Sequence, residues 1–298
     1  MALSATEHLH PAASGLDTLP EIAVLEHLWT AQAAALQVVG QALPQIAQGA
    51  ALMATALQGQ GRLLYAGAGS SALMAVSDGL ELGGTFGVPA ERVLLRMAGG
   101  LPVDARMPGD TEDDAEDGTR AAAGIGAGDV VIAVAASGRT PYALAVAKAA
   151  RAQGAQVIAV ANVAGAALFE HADVAICLPT PPEVIAGSTR MGAGTAQKVA
   201  LNMMSTLMGI KLGQVHDGMM VGLVADNEKL RGRAAGMVAQ IAGVAAETAL
   251  QALRAAEGAV KPAVLIALGQ SPQAAQDLLS ETHGNLRAAI ARGHKNGN

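Results

Sequence analysis

The chain of 298 residues carries 25 acidic side chains against 19 Lys and Arg, a formal net charge of -6, which leaves it without the basic footprint that nucleic acid or anionic lipid requires. Hydrophobic residues make up 51% but aromatic ones only 2%, so the core has to be built from Ala, Val, Leu, Ile and Met. The single cysteine, Cys177, excludes a disulfide framework within one chain, and its apolar neighbours Val174 to Leu178 read as the setting of a buried structural thiol.

Apolar runs are each broken by Gly, Arg, Glu or Asp before the roughly 18 residues a spanning helix needs. The N-terminus has no basic segment followed by an apolar one. A soluble cytoplasmic protein with no membrane or nucleic-acid partner is the expectation.

In chain order, Met1 to about Pro20 reads as an extended arm and Glu21 to about Gln58 as a helical lead-in interrupted near Pro44. Strand and helix then alternate. Strands are expected at Leu63 to Ala66, Arg92 to Met97, Val130 to Ala135, Gln156 to Ala161 and Val174 to Leu178. Helices are expected from Ser71, near Ala121, up to about Gln153, near Ala166, and from about Ala193 to Leu212. Such alternation predicts an α/β fold, a parallel sheet covered on both faces, with ligands at the carboxyl ends of its strands. After Asn227-Glu228-Lys229-Leu230 the pattern changes to about three short Ala/Leu helices, with a tail expected to fray after Gly293. The divisions are residues 1–58, 59–226 and 227–298.

Two turns carry the chemistry. Ala136-Ser137-Gly138-Arg139-Thr140-Pro141-Tyr142 joins an apolar run to a helical pattern that begins near Ala143, and Gly67-Ala68-Gly69-Ser70-Ser71 does the same some seventy residues earlier. A strand that feeds a helix through small and hydroxyl residues aims free N–H and O–H donors at one point, where the helix dipole adds positive potential. That is a cradle for phosphate. The first turn also fits the loose dinucleotide pattern, but the second strand, Val93-Leu94-Leu95-Arg96-Met97, ends without the acid a ribose would need. A third loop, Pro182 to Arg190, offers Glu183, Ser188, Thr189 and Arg190, and Lys198 lies in the helix that follows. Ligand contact and simple helix capping both fit these residues.

The acidic run Thr111 to Gly118 reads as a capped helix start and fails as a calcium loop, because Ala115 interrupts the ligand alternation. Glu81 stands between apolar residues at the end of the helix that begins in the first cradle. Beside a ligand such a carboxylate could move protons.

Taken together, the segments Gly67 to Ser71, Ala135 to Tyr142, Glu183 to Met191, Ala193 to Lys198 and Asn227 to Leu230 resemble the N-acetylmuramic acid 6-phosphate etherases, lyases of the SIS (sugar isomerase) fold. The likeness runs from about Thr6 to about Ala291. It implies a SIS-type three-layer sandwich with a small helical C-terminal domain, no metal or redox cofactor, a phosphorylated amino sugar as substrate, and a homodimer with shared active sites. It also implies a place in peptidoglycan recycling. By the resemblance, Glu81 is the acid that protonates the departing lactyl oxygen and later activates water, and Glu112 is the base that takes the C2 proton. Gly69, Ser70, Ser71, Ser137, Gly138, Arg139, Thr140, Glu183, Ser188, Thr189, Arg190 and Lys198 fall on sugar- or phosphate-binding positions. The chain departs from the family where Leu73 replaces an Arg, Gly192 a Lys, Gly218 an Asn and Gly222 an Asp. A sugar-phosphate sensor and an aldose–ketose isomerase are the other classes that such cradles serve.

Overall fold

The computed structural model describes residues 5–107, 109–223 and 228–296. From the N-terminus, α1 (Glu21–Gln37) passes through the 3-10 turn Val38–Ala42 into α2 (Leu43–Gln58). There follow β1 (Leu63–Gly67), α3 (Gly69–Phe86), β2 (Val93–Met97), α4 (Ala115–Ala121), β3 (Val130–Val134), α5 (Pro141–Ala152), β4 (Gln156–Ala161), β5 (Val174–Cys177) and α6 (Gly192–Lys211). The short helix expected near Ala166 is a 3-10 turn, Ala167–His171.

The five strands form one parallel sheet in the order β2-β1-β3-β4-β5. Every residue of β1 and β3 is buried, as continuous apolar runs with both faces covered should be. One face, through Leu64, Ala66, Val131, Ala133, Val157 and Ala159, packs against Tyr142, Val146 and Ala150 of α5. The other face meets α2, α3 and α6. There Gly49 lets α2 approach so closely that a Cβ would stand 2.5 Å from Met204 Sδ and 3.4 Å from Ile158 Cδ1. On the same side the Tyr65 hydroxyl donates to Asp78 Oδ2 at 2.9 Å, while Asp78 Oδ1 accepts from Asn202 Nδ2 at 2.7 Å and Ser205 Oγ at 2.9 Å. This buried carboxylate locks α3 and α6 to β1. The result is the expected three-layer sandwich.

The chain divides into two compact units, residues 1–80 with 91–205, and residues 81–90 with 206–298. In the second unit a hairpin of β6 (Val215–His216) and β7 (Met219–Met220) turns through Asp217 and Gly218, both at positive φ, as a two-residue Asp-Gly turn requires. Five helices then follow, not three: α7 (Glu228–Ala242), α8 (Ala246–Ala255), α9 (Val260–Ala267), α10 (Pro272–Glu281) and α11 (Leu286–Asn296). Ala234, Val238, Ala249, Leu253, Val264, Ala275 and Ala289 meet in their common core. The boundary expected at residue 226, and Asn227 of the Asn-Glu-Lys-Leu segment, lie outside the described residues. α11 continues through Gly293 to Asn296, and the Gly-Asn tail expected to fray lies outside the described residues.

The N-terminal arm and the expected absence of a membrane-length apolar run both need correction. The arm is not extended: it coils into 3-10 turns at Ala5–Glu7, Pro11–Ala13 and Leu16–Thr18, with Pro11 pre-set for the second of them and the Thr6 carbonyl accepting from Gly187 N–H at 3.2 Å. The lead-in is interrupted where expected, by the 3-10 turn Val38–Ala42 just before Pro44, and that proline sits in the first turn of α2, where its missing N–H costs nothing. The helical stretch Glu21–Gln58 nonetheless has the length and mean hydropathy, 1.2, of a membrane-crossing helix, contrary to the expectation that no run would.

Candidate functional site

In this sheet the chain leaves β1 toward β2 on one side, while β3, the other neighbour of β1, is followed by β4 on the opposite side. Beyond the carboxyl ends of two such neighbouring strands the connections diverge and leave a crevice. The two cradles sit at this point of divergence. Gly67, the last residue of β1, pairs with Val134, the last residue of β3, so the two turns leave the sheet side by side.

In the first cradle Gly69 has φ +53 and opens α3, so Gly69, Ser70 and Ser71 occupy the first turn, where backbone N–H groups have no intrahelical acceptor. Ser70 is half-buried and Ser71 buried. In the second cradle Gly138, at φ +62, has no room for a side chain, because a Cβ would collide with Ala166. Its N–H bonds to the Ala135 carbonyl at 3.0 Å and its carbonyl accepts from Leu168 N–H at 3.0 Å. Ser137 Oγ accepts from Arg139 N–H at 3.2 Å. Thr140 is the N-cap of α5 yet makes no side-chain capping bond, which leaves its hydroxyl for a ligand.

The third loop is joined to the first. Gln197, fully buried on α6, donates from Nε2 to Ser71 Oγ at 3.1 Å and to Asn162 Oδ1 at 2.8 Å. Neither Gln197 nor Asn162 was singled out from the sequence, because the three partners are separated by 126 and 35 residues. Ser188 and Thr189 are half-buried, and the Thr189 carbonyl accepts from Gly194 N–H at 2.8 Å. Glu183, expected among the ligand contacts, spends its carboxylate differently. It is buried, with Oε2 on Gly192 N–H at 2.9 Å and Oε1 on Ala193 N–H at 2.8 Å. It caps α6.

Arg139, Arg190 and Lys198 are exposed, and among the described residues none of them pairs with a carboxylate. Three unpaired cations beside hydroxyl-bearing loops suit an anionic ligand. Glu112 lies in the 3-10 turn Asp110–Asp113 of the first unit and is exposed. Glu81, also exposed, lies on α3 in the part assigned to the second unit. Among the described residues no three His, Cys, Asp or Glu side chains are grouped so as to hold a metal ion.

Cys177 is half-buried and not fully enclosed, its Sγ 3.7 Å from the Val163 carbonyl, and burial raises its pKa. Of the methionines on α6, Met204 and Met208 are fully buried and Met203 is exposed, at 38%. The exposed apolar residues gather on α1 instead, where Ile22, Leu25 and Trp29 are 66%, 58% and 72% exposed.

Residues 7–162 match the SIS domain family. The chain is 40% identical over 291 residues to the N-acetylmuramic acid 6-phosphate etherase of Deinococcus radiodurans, covering 97% of this chain and 95% of that one. It is 46% identical over 231 residues to the enzyme of the same name from Symbiobacterium thermophilum, covering 77% of each. Among solved structures, a phosphoheptose isomerase from Neisseria gonorrhoeae has a TM-score of 0.46 and 21% identity, covering 63% of this chain and 97% of that one.

Proposed function

The chain belongs to the N-acetylmuramic acid 6-phosphate etherases, within the SIS domain family, and from that premise we propose that it is a carbon–oxygen lyase releasing D-lactate and N-acetylglucosamine 6-phosphate from N-acetylmuramic acid 6-phosphate. The observation that carries this reading is the likeness over 97% of the chain. The paired helix N-termini at the divergence of β1 and β3 support the phosphorylated substrate, since unshared N–H groups and helix dipoles favour a dianion there.

The chemistry follows from the opened sugar. Its C1 aldehyde acidifies the C2 proton, which Glu112 removes as general base. The electron pair forms the C2–C3 double bond and expels the lactyl oxygen, which takes a proton from Glu81. Glu81, now a carboxylate, removes a proton from water as the water oxygen adds to C3, and C2 regains a proton. The sequence is redox-neutral and needs no electron carrier. General acid and base together supply roughly 10²- to 10⁴-fold for each proton transfer.

Gly69, Ser70, Ser71, Ser137, Gly138, Arg139 and Thr140 are the proposed phosphate shell, with Ser188, Thr189, Arg190 and Lys198 toward the rest of the sugar. Glu183 supports that second group by fixing the start of α6. The enzyme is proposed to work in the cytoplasm on sugars recovered from peptidoglycan, because a phosphate dianion does not cross a bilayer unaided.

We further propose a homodimer with shared active sites. The apolar face of α1 is its support: Ile22, Leu25, Trp29 and Leu36 are all exposed, and their spacing of three, four and seven residues is that of a helix–helix seam. Product analysis separates the readings. Lactate release identifies a lyase, a keto sugar an isomerase, and saturable binding without turnover a sensor.

A further inference from the structure

We infer that Gln197 and Asn162 are positioning residues that set the direction of the Ser71 hydroxyl proton, so that Ser71 acts toward the phosphate of the ligand as a donor. The inference rests on the phosphosugar reading of the first cradle.

The polarity of the network is set by a backbone carbonyl, which has no choice of role. Asn162 is buried at the end of β4 and its Nδ2 donates to the Ala193 carbonyl at 3.3 Å. A carbonyl can only accept, so the amide of Asn162 is oriented with its NH₂ toward Ala193 and its Oδ1 toward Gln197. Oδ1 in turn accepts from Gln197 Nε2 at 2.8 Å, which fixes the second amide. The same NH₂ stands 3.1 Å from Ser71 Oγ. An NH₂ can only donate, so Ser71 Oγ accepts, and its own proton is turned away from Gln197. Among the described residues no acceptor takes that proton.

This orientation has a cost. Gln197 is fully buried and its Oε1 has no hydrogen-bond partner, and an orphaned buried acceptor is ordinarily avoided. Turning the amide over would only move the orphan to its NH₂ and set two acceptors, Oε1 and Asn162 Oδ1, against each other. The network therefore tolerates one idle acceptor while Ser71 is held as an acceptor from below and a donor above. A serine beneath a phosphate needs that polarity, since phosphate oxygens only accept.

The experiment is a double-mutant cycle on Ser71→Ala and Gln197→Met, with Gln197→Glu as an isosteric second variant, read as the Kd for N-acetylglucosamine 6-phosphate by calorimetry, with kcat and KM for lactate release. Each single variant is expected to weaken binding by about tenfold or more, the scale of a hydrogen bond to a charged group, and to raise KM more than it lowers kcat. On the Ser71→Ala background Gln197→Met is expected to add less than about twofold. Gln197→Glu presents an acceptor to Ser71 and is expected to weaken binding like Gln197→Met. Independent, multiplying losses in the cycle overturn the inference, as does wild-type affinity in both Gln197 variants. If the wild-type protein itself fails to bind the ligand, the phosphosugar reading falls and this inference with it.

Discussion

Glu183 and Ala193 are joined by a hydrogen bond of 2.8 Å from the backbone N–H to Oε1, and with the 2.9 Å bond from Gly192 to Oε2 the buried carboxylate closes the N-terminus of α6. An anion at this end of the helix is favoured by the dipole as well as by its two bonds. Glu183→Ala is expected to lower stability by about 1.5 to 3 kcal/mol, the range for hydrogen bonds to charged groups, measurable by urea unfolding. Unchanged stability would show that the cap is dispensable.

Glu81 and Glu112 divide the chemistry in the proposed mechanism. Glu81→Gln and Glu112→Gln are each expected to reduce lactate release by roughly 10²- to 10⁴-fold while ligand affinity changes little. A variant that retains wild-type turnover removes its residue from the mechanism.

The α1 face offers a test of assembly. Trp29→Asp places a charge in the middle of the Ile22, Leu25, Leu36 stripe and is expected to shift the protein from dimer to monomer in light scattering and to lower specific activity on dilution. A dimer that persists in this variant assigns the contact to another face, and detergent-dependent solubility of the wild-type protein assigns α1 to a membrane.

Lys261 gives a pH-dependent prediction in the second unit. Its ammonium donates to the Gly284 carbonyl at 2.9 Å, and burial lowers its pKa from 10.5 to about 8. The folded state therefore gives up this proton more readily than the unfolded chain, and stability rises with pH between about 8 and 10.5. The Tm of the wild-type protein minus that of Lys261→Met should increase from pH 7.5 to pH 9.5. A difference independent of pH contradicts the assignment.

The sheet was legible because β1, β3 and β4 are apolar on both faces, so a run such as Val130 to Val134 announces itself without any alternation. The cradles were legible for a related reason, since Gly, Ser and Thr between such a strand and a helix leave few other structures open. The β6–β7 hairpin escaped notice because its strands have two residues each, too short for a period, although Asp217-Gly218 carried the turn signal. Local sequence does not show how the methionines of α6 face: Met203 is exposed, whereas Met204 and Met208 are buried and Met204 fills the space that Gly49 leaves against β4. Pairwise contacts such as Gln197 to Ser71 leave no trace in local sequence, and the use of Glu183 as a cap depends on a fourteen-residue loop, 178–191, whose path no pattern dictates.

Turnover of N-acetylmuramic acid 6-phosphate in ¹⁸O-water, with both products analysed by mass spectrometry, distinguishes elimination and hydration from other routes. Equimolar D-lactate with an unlabelled hydroxyl oxygen is expected, because the C3–O bond breaks, together with an amino sugar phosphate carrying solvent oxygen at C3. Label in the lactate hydroxyl, or a substrate consumed without lactate, would contradict an elimination followed by hydration.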